Sequence, residues 1–421
     1  MDFSLDDTTA TLQRDLLDFM DTHVYPAEHA FAEIEAGDGW DRPAVMADLK
    51  REAKSRGLWN LFLPHSPLGA GLSNVQYAPL AEITGRSPHI APEALNCAAP
   101  DTGNMELLSM FGTAEQKERW LAPLLAGEIR SAYCMTEPEV ASSDASNISM
   151  RIEPTSSGYR INGRKWWSTG ILSADCTLLV VLGLSDPDAD RHSRHTVLLV
   201  PRDTPGITVK RGLPVFGVWD RSHGGHGEVL FENVEVGAGA LLGEQGKGFA
   251  LGQARLGPGR IHHCMRMVGM AERALDLMCR RALSRNAFGG SLADNADVQR
   301  VIANARVNID LVRTLVLRTA WLIDTEGAKG AATEISAIKI AAPQMAQNVI
   351  DDAIQIHGAG GLTDDYPLAA FFAYARGMRF ADGPEEVHRM VLARRELKRF
   401  RATGARPAAR DQPSPVGAGQ A

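Results

Sequence analysis

Cysteine is scarce in this chain. There are five in 421 residues: Cys97, Cys134, Cys176, Cys264 and Cys279. The number is odd and no pair has C-x-x-C spacing, which excludes a disulfide framework and a zinc ribbon and favours free buried thiols in a reducing compartment. Positive charge is short as well: 44 Lys and Arg face 51 Asp and Glu, a formal net charge of −7. A nucleic-acid binder needs a basic face, so that class is excluded. No apolar run approaches the ~18 residues of a spanning helix, so no membrane span is expected. The N-terminal MDFSLDD is acidic, with no apolar signal core and no Arg-rich transit pattern. The expected location is cytoplasmic. No G-x-G-x-x-G follows a strand and no Walker A motif occurs, so a Rossmann or P-loop nucleotide site is not supported.

What is present is a soluble globular composition, 44% apolar and 23% charged. Its length allows two or three domains with sizeable cores. Residues 1–130 read as helical. Leu12, Leu16, Leu17, Met20 and Val24 recur at helical spacing, and Pro26 is expected to close that helix. Thr113 followed by Gln116 forms a capping-box pattern for a helix through Trp120. Residues 131–240 read as a β domain. Tyr159–Ile161 and Arg164–Trp167 flank Asn162–Gly163, a short hairpin signal. The runs Thr177–Leu184, Thr196–Val200 and Val229–Val236 read as strands. From 241 to 402 the helical period returns, with Val298, Ile302, Ala305, Ile309, Val312, Val316 and Ala320 on one face. Further helices over about 260–285 and 331–357 predict a long-helix bundle. Residues 403–421 read as a disordered tail.

Five short stretches carry chemistry. Tyr133–Asp144, YCMTEPEVASSD, runs from a strand end into a polar turn broken by Pro138. Its backbone donors and hydroxyls suit a flat polar heterocycle with a pyrophosphate tail; an ordinary strand exit has the same composition. Lys165–Gly170 reads KWWSTG, where the tryptophans serve a ligand or a core. Arg285–Gly289, RNAFG, offers a guanidinium fork for a pyrophosphate. Gln355–Leu362, QIHGAGGL, is a glycine cluster after a helix, which a C-cap also produces. Residues 380–389, FADGPEEVHR, hold Asp382, Glu385 and Glu386, three candidate bases.

In order and across roughly residues 5–400, these stretches resemble the acyl-CoA dehydrogenase family. The resemblance implies an α+β multidomain fold: an N-terminal helical domain, a middle β-barrel or sandwich and a C-terminal four-helix bundle. It implies an FAD cofactor, with Tyr133, Met135, Thr136, Trp167, Ser168 and Thr169 at the flavin ring and Ser142 near the pyrophosphate. Arg285 and Phe288, with Gln355, Gly358 and Ala359, would reach the FAD of a neighbouring subunit, which implies a homodimer or homotetramer. Ser143, Arg260 and Gly383 would lie at the substrate, an acyl-CoA thioester, and an electron-transfer flavoprotein would take the electrons. Trp166 is assigned to the core. The family's catalytic Glu is replaced by Asp382 at the matching position, directly before Gly383, and the family Thr by Pro384. Asp is one methylene shorter, so the backbone must sit closer to the α-carbon.

The Asp-Gly-Pro, the double Trp, LGPGRIHHCMR (256–266) and HGGH (223–226) resemble a distinct branch. Its animal members are acyl-CoA dehydrogenase family members ten and eleven. That branch implies long, branched or hydroxylated acyl chains. The reaction needs a base for the α proton, an electron sink for the β hydride and donors for the thioester oxygen. Arg260 would hold Asp382 ionised or serve as a buried ion-pair partner. His223, His226, His262 and His263 fit structural or pocket roles better than a metal site, since no step needs a metal. A flavin monooxygenase or an acyl-CoA oxidase on the same fold, and a non-catalytic flavin or acyl-CoA binder, are the alternatives.

Overall fold

A computed structural model describes residues 4–40, 42–64 and 66–403; of the expected tail, 403–421, only Thr403 lies within them, as the last residue of a helix. The first part of the chain is helical: α1 (Asp7–Phe19), α2 (Tyr25–Ala36), α3 (Val45–Ser55), α4 (Asn74–Gly85), α5 (Ala91–Ala94), α6 (Asp101–Phe111), α7 (Ala114–Gln116) and α8 (Ala122–Ala126). Asp6 caps α1 by accepting from Thr9 N–H at 3.0 Å. Ser73 and Thr113 form full capping boxes with Gln76 and Gln116. Pro26 does not end the helix, contrary to the sequence expectation. A π-helical turn, Met20–Val24, joins α1 to α2, and Tyr25 N–H reaches back five residues to Met20 O. The wider turn accommodates the proline ring, which would otherwise clash with the carbonyl four residues back. The same arrangement, Lys117–Leu121, precedes Pro123 and carries the helix begun at Thr113 to Ala126.

The middle part is a seven-stranded sheet. Its strands are β1 (Arg130–Cys134), β2 (Arg151–Pro154), β3 (Gly158–Thr169), β4 (Cys176–Leu184), β5 (His195–Pro201), β6 (Ile207–Gly212) and β7 (His226–Gly237). The order is β1-β4-β2-β3-β7-β6, with β5 on β4. β4 is buried on both faces. Leu178, Val180 and Leu182 point into the helical core, while Leu179 and Val181 point into the sheet's own core. That two-sided burial is why its sequence is continuously apolar rather than alternating.

Asn162–Gly163 is not a hairpin turn. β3 runs straight through it, and the real turn lies between β2 and β3. Gly163 is required because a Cβ there would stand 2.4 Å from Met150 Cγ. Asn162 Oδ1 accepts Asn233 N–H at 2.7 Å, closing a bulge in β7.

The last part holds α9 (Gly248–Ser284), a small hairpin β8 (Asn286–Ala287) and β9 (Gly290–Ser291), α10 (Ala296–Gly330), α11 (Ala332–His357), α12 (Leu368–Gly377) and α13 (Glu385–Thr403). On α10, Val298, Ala305, Ile309, Val312, Val316 and Ala320 are buried, as their spacing requires. α4 and α9 touch backbone to backbone: a Cβ on Gly269 would lie 1.7 Å from Glu82 O, and one on Gly85 2.1 Å from Arg266 O. All five cysteines are free. Among the described residues no helix is long and apolar enough to cross a membrane.

Candidate active site

Asp382 sits in the short loop between α12 and α13, with φ of 55° and Gly383 after it at 102°. Left-handed backbone at a non-glycine residue is uncommon and costs energy, although Asp tolerates it better than most. The surroundings impose it through carbonyls. Lys339 Nζ, fully buried on α11, donates to Met378 O at 3.0 Å and Ala381 O at 2.8 Å. Arg260 Nε donates to Asp382 O at 3.0 Å.

The Asp382 side chain is 13% exposed and its Oδ2 lies 3.6 Å from His263 Nε2. Burial pushes its carboxyl up, but His263, Lys339, Arg255 and Arg260 outweigh burial and hold it below the ordinary value. Burial drives His263 down to about 4, so at neutral pH the charge opposite Asp382 comes from the lysine and the two arginines. The outcome is a buried, ionised carboxylate near an imidazole whose Nδ1 has no partner.

The other candidate bases are engaged or remote. Glu385 is clamped by Arg379 at 2.5 and 3.0 Å and by Gln344 at 3.0 Å. Glu386 is exposed.

Tyr133 at the end of β1 carries the Arg255 guanidinium 4.1 Å above its ring, and its buried hydroxyl has no partner. Arg255 is fixed by Asn104 Oδ1 at 2.8 Å and Pro100 O at 3.3 Å. After β1, Lys165 Nζ donates to Met135 O at 2.8 Å and to Glu137 Oε1 at 2.7 Å. Thr136 O accepts Trp166 N–H at 2.9 Å. The loop bearing Met135 and Thr136 is thereby stitched to β3.

β3 bulges at this point. Trp166 and Trp167 stand opposite the single residue Glu228, and Trp167 adopts φ of 54°. The bulge turns the Trp167 ring outward, 41% exposed, while Ser168 points inward and is fully buried. Thr169 Oγ1 lies 3.0 Å from His226 Nδ1. Ser142 Oγ accepts Glu137 N–H at 2.8 Å and so braces its own loop, and Ser143 is exposed. Tyr374 on α12 packs edge-on against His89, ring centroids 5.3 Å apart. Burial pushes its hydroxyl up to about 12, Arg266 opposes, and the Asp220 and Asp382 carboxylates add to the rise.

A second group lies at the far end of α9. Arg285 is exposed at its C-terminus. Phe288 forms the tip of the β8–β9 hairpin with φ of 53° and a fully exposed ring. Gln355, Gly358 and Ala359 are exposed at the end of α11, and Arg281 NH2 to His357 O at 3.4 Å ties the two ends together. Arg260 and Arg285 are 25 residues apart on one helical path, which is about 37 Å at 1.5 Å per residue. One bound dinucleotide does not span that.

An FAD fits the near group on its own terms: an outward tryptophan, an unpaired tyrosine hydroxyl and the half-buried Thr136 and Thr169 converge there. Among the described residues no group of three His, Cys, Asp or Glu is placed to hold a metal. Sequence reasoning gave no role to Lys339, Arg255 or Lys165. A lysine inside the apolar run ISAIKIAAP (335–343) was the available signal for Lys339.

Known proteins identify the family. Family profiles for the acyl-CoA dehydrogenase N-terminal, middle and C-terminal domains match residues 6–128, 132–234 and 246–397. FadE2 of Mycobacterium tuberculosis, named a probable acyl-CoA dehydrogenase, is 52% identical over 406 residues, 96% of this chain and 98% of its own length. Acyl-CoA dehydrogenase family member 10 of Mus musculus is 52% identical over 92% of this chain, which spans 37% of that longer relative. A solved acyl-CoA dehydrogenase-type structure from Mycobacterium abscessus superposes with a TM-score of 0.92 at 51% identity, covering 94% of this chain and all of that one. A Mycobacterium smegmatis glutaryl-CoA dehydrogenase solved with FADH2 shares the fold, with a TM-score of 0.78 at 21% identity over 95% and 96% of the two chains. The fold expected from the sequence is the one found, and this chain belongs to the acyl-CoA dehydrogenase family of flavin-dependent oxidoreductases.

Proposed function

We propose that this protein oxidises acyl-CoA thioesters between Cα and Cβ with Asp382 as the α-proton base, and passes the electrons to an electron-transfer flavoprotein. The observation that carries this reading is the ionised Asp382 on a strained loop whose carbonyls Lys339 and Arg260 hold, with His263 3.6 Å from the carboxylate. Met135, Thr136, Trp167 and Thr169 would hold the flavin ring, with Tyr133 beside them. Arg285, Phe288, Gln355, Gly358 and Ala359 would grip the cofactor of a neighbouring subunit. FAD, when bound, supplies the acceptor for the hydrogen and electron pair leaving Cβ.

The chain's own part is acid–base and positional. Asp382 accepts the α proton at a carboxylate oxygen. The Asp382 backbone N–H is the donor assigned to the thioester oxygen. Lys339 and Arg260 keep the loop from relaxing as the carboxylate is neutralised. Ser168 faces inward with its buried Oγ unpartnered, and Ser142 orders the loop before Ser143. Phe288, fully exposed on a two-residue turn, is free to pack against a second subunit.

The test is anaerobic flavin bleaching of the purified holoprotein across a panel of straight, branched and hydroxylated acyl-CoAs. Bleaching by at least one thioester is expected, with about one FAD per subunit in an oligomer. Arg285→Ala should lower FAD content by removing a charge-assisted contact. A folded protein that takes up no FAD, or a flavin-loaded monomer in light scattering, would overturn this reading.

A further inference from the structure

Thr169 and His226 face each other across the β3–β7 ladder, Oγ1 to Nδ1 at 3.0 Å. The His226 ring also lies against Trp167, centroids 5.5 Å apart at 49°. His226 therefore touches two side chains assigned above to the flavin, yet the reaction as described gives it no task.

A hydroxyl has one proton to donate and lone pairs with which to accept. Flavin N5 accepts a hydrogen bond when oxidised and donates one when reduced. A threonine facing N5 must therefore reverse its role, and its proton then needs another acceptor. His226 Nδ1 is within reach. Burial holds His226 below its ordinary pKa, with Asp220 opposing and His89 adding to the fall, so the ring is neutral at pH 7 and one nitrogen is free to accept.

Resting on the flavin placement proposed above, we infer that His226 is a positioning residue whose Nδ1 accepts the Thr169 hydroxyl once the flavin is reduced, thereby favouring reduction. The chemistry balances with no added reactant. The α C–H gives its proton to Asp382, and the β C–H gives its hydrogen and electron pair to FAD. A Cα=Cβ bond forms, the acyl chain is oxidised and the flavin reduced. The only addition is rotation of one hydroxyl. The opposite tautomer, with the proton on Nδ1, would lock Thr169 as a donor and favour the oxidised state, so the sign of the effect discriminates.

The measurement is the reduction potential of bound FAD, by dye-equilibrated anaerobic reduction of the holoenzyme, with FAD content recorded in parallel. His226→Phe should make reduction about tenfold less favourable, a fall of ~30 mV for a two-electron couple. His226→Gln, whose amide oxygen can accept, should restore most of the loss. In a Thr169→Val background His226→Phe should change nothing. His226→Asn, too short to reach, replaces the Phe variant if that one does not fold. A potential at or above the parent's in His226→Phe, or an equal fall with and without the Thr169 hydroxyl, overturns the inference. A parent protein that binds no FAD instead overturns the functional reading beneath it.

Discussion

Replacing Asp382 by Asn changes the charge of one buried group and leaves its scaffold intact. The contacts that shape the loop run through the carbonyls of Met378, Ala381 and Asp382, to Lys339 and Arg260, and none of them uses the carboxylate. Asn also tolerates left-handed backbone, so the φ of 55° adds no new strain. What disappears is the ability to take a proton. A positioned base contributes roughly 10²–10⁴ in rate, or about 3–5 kcal/mol of barrier at 1.36 kcal/mol per decade. A base buried among fixed cations belongs in the upper part of that range, so a loss of at least ~10³-fold is expected. The assay is stopped-flow flavin bleaching by the best acyl-CoA, with FAD content and ligand affinity measured on the same sample and expected unchanged. Asp382→Glu should keep partial activity with altered chain preference. Glu385→Gln should be mild, because that carboxylate is tied to Arg379 and Gln344. Near-normal bleaching in Asp382→Asn together with loss in Glu385→Gln would refute the assignment.

Lys339→Met should strand two half-buried carbonyls, at up to ~1–3 kcal/mol each, and should let the Asp382 pKa rise; the acid limb of kcat/KM would then move toward neutrality, and a limb that stays in place excludes the electrostatic role. Gly269→Ala places a methyl 1.7 Å from Glu82 O, so α4 and α9 must separate at a cost of ~1–3 kcal/mol or more; an unchanged denaturation midpoint contradicts the close contact. His263 and His388 are both driven by burial to about 4 in the fold, against ~6.5 unfolded. The unfolded chain thus binds more protons, and stability should fall as pH drops from about 6.5 to 4. The depressed Asp382 adds loss in the same direction at lower pH. Thermal midpoints flat across that window would count against neutral burial of these histidines.

Periodic and strongly apolar segments were legible from sequence: the buried stripe of α10 and the run of β4 follow from spacing and β-branching alone. Asn162–Gly163 was misread because the dipeptide reports backbone freedom without saying what uses it; here Met150, just ahead of β2, crowds the glycine. Pro26 was misread because a π turn is encoded by no single residue. Asp382 could be located by its place before Gly383. Its partners could not, since Arg255, His263 and Lys339 come from two other helices, and only folding brings them within range.

The π turn between α1 and α2 sets the rotational phase of everything after it. One residue along a helix is about 100° of rotation. Adding a further residue to Met20–Val24, which already holds one more than an α turn, would swing Ala27 and Phe31 out of the core. It would also misdirect Glu28, which receives Arg273 of α9 at 2.5 and 2.7 Å, and Glu35, which receives Ser222 N–H at 3.1 Å two residues from Asp220. Asp220 in turn holds His89 and its charge acts on His226. The N-terminal helix pair thus tolerates substitution far better than added length, and a one-residue insertion some two hundred positions upstream of His226 would be felt at the Thr169 hydroxyl.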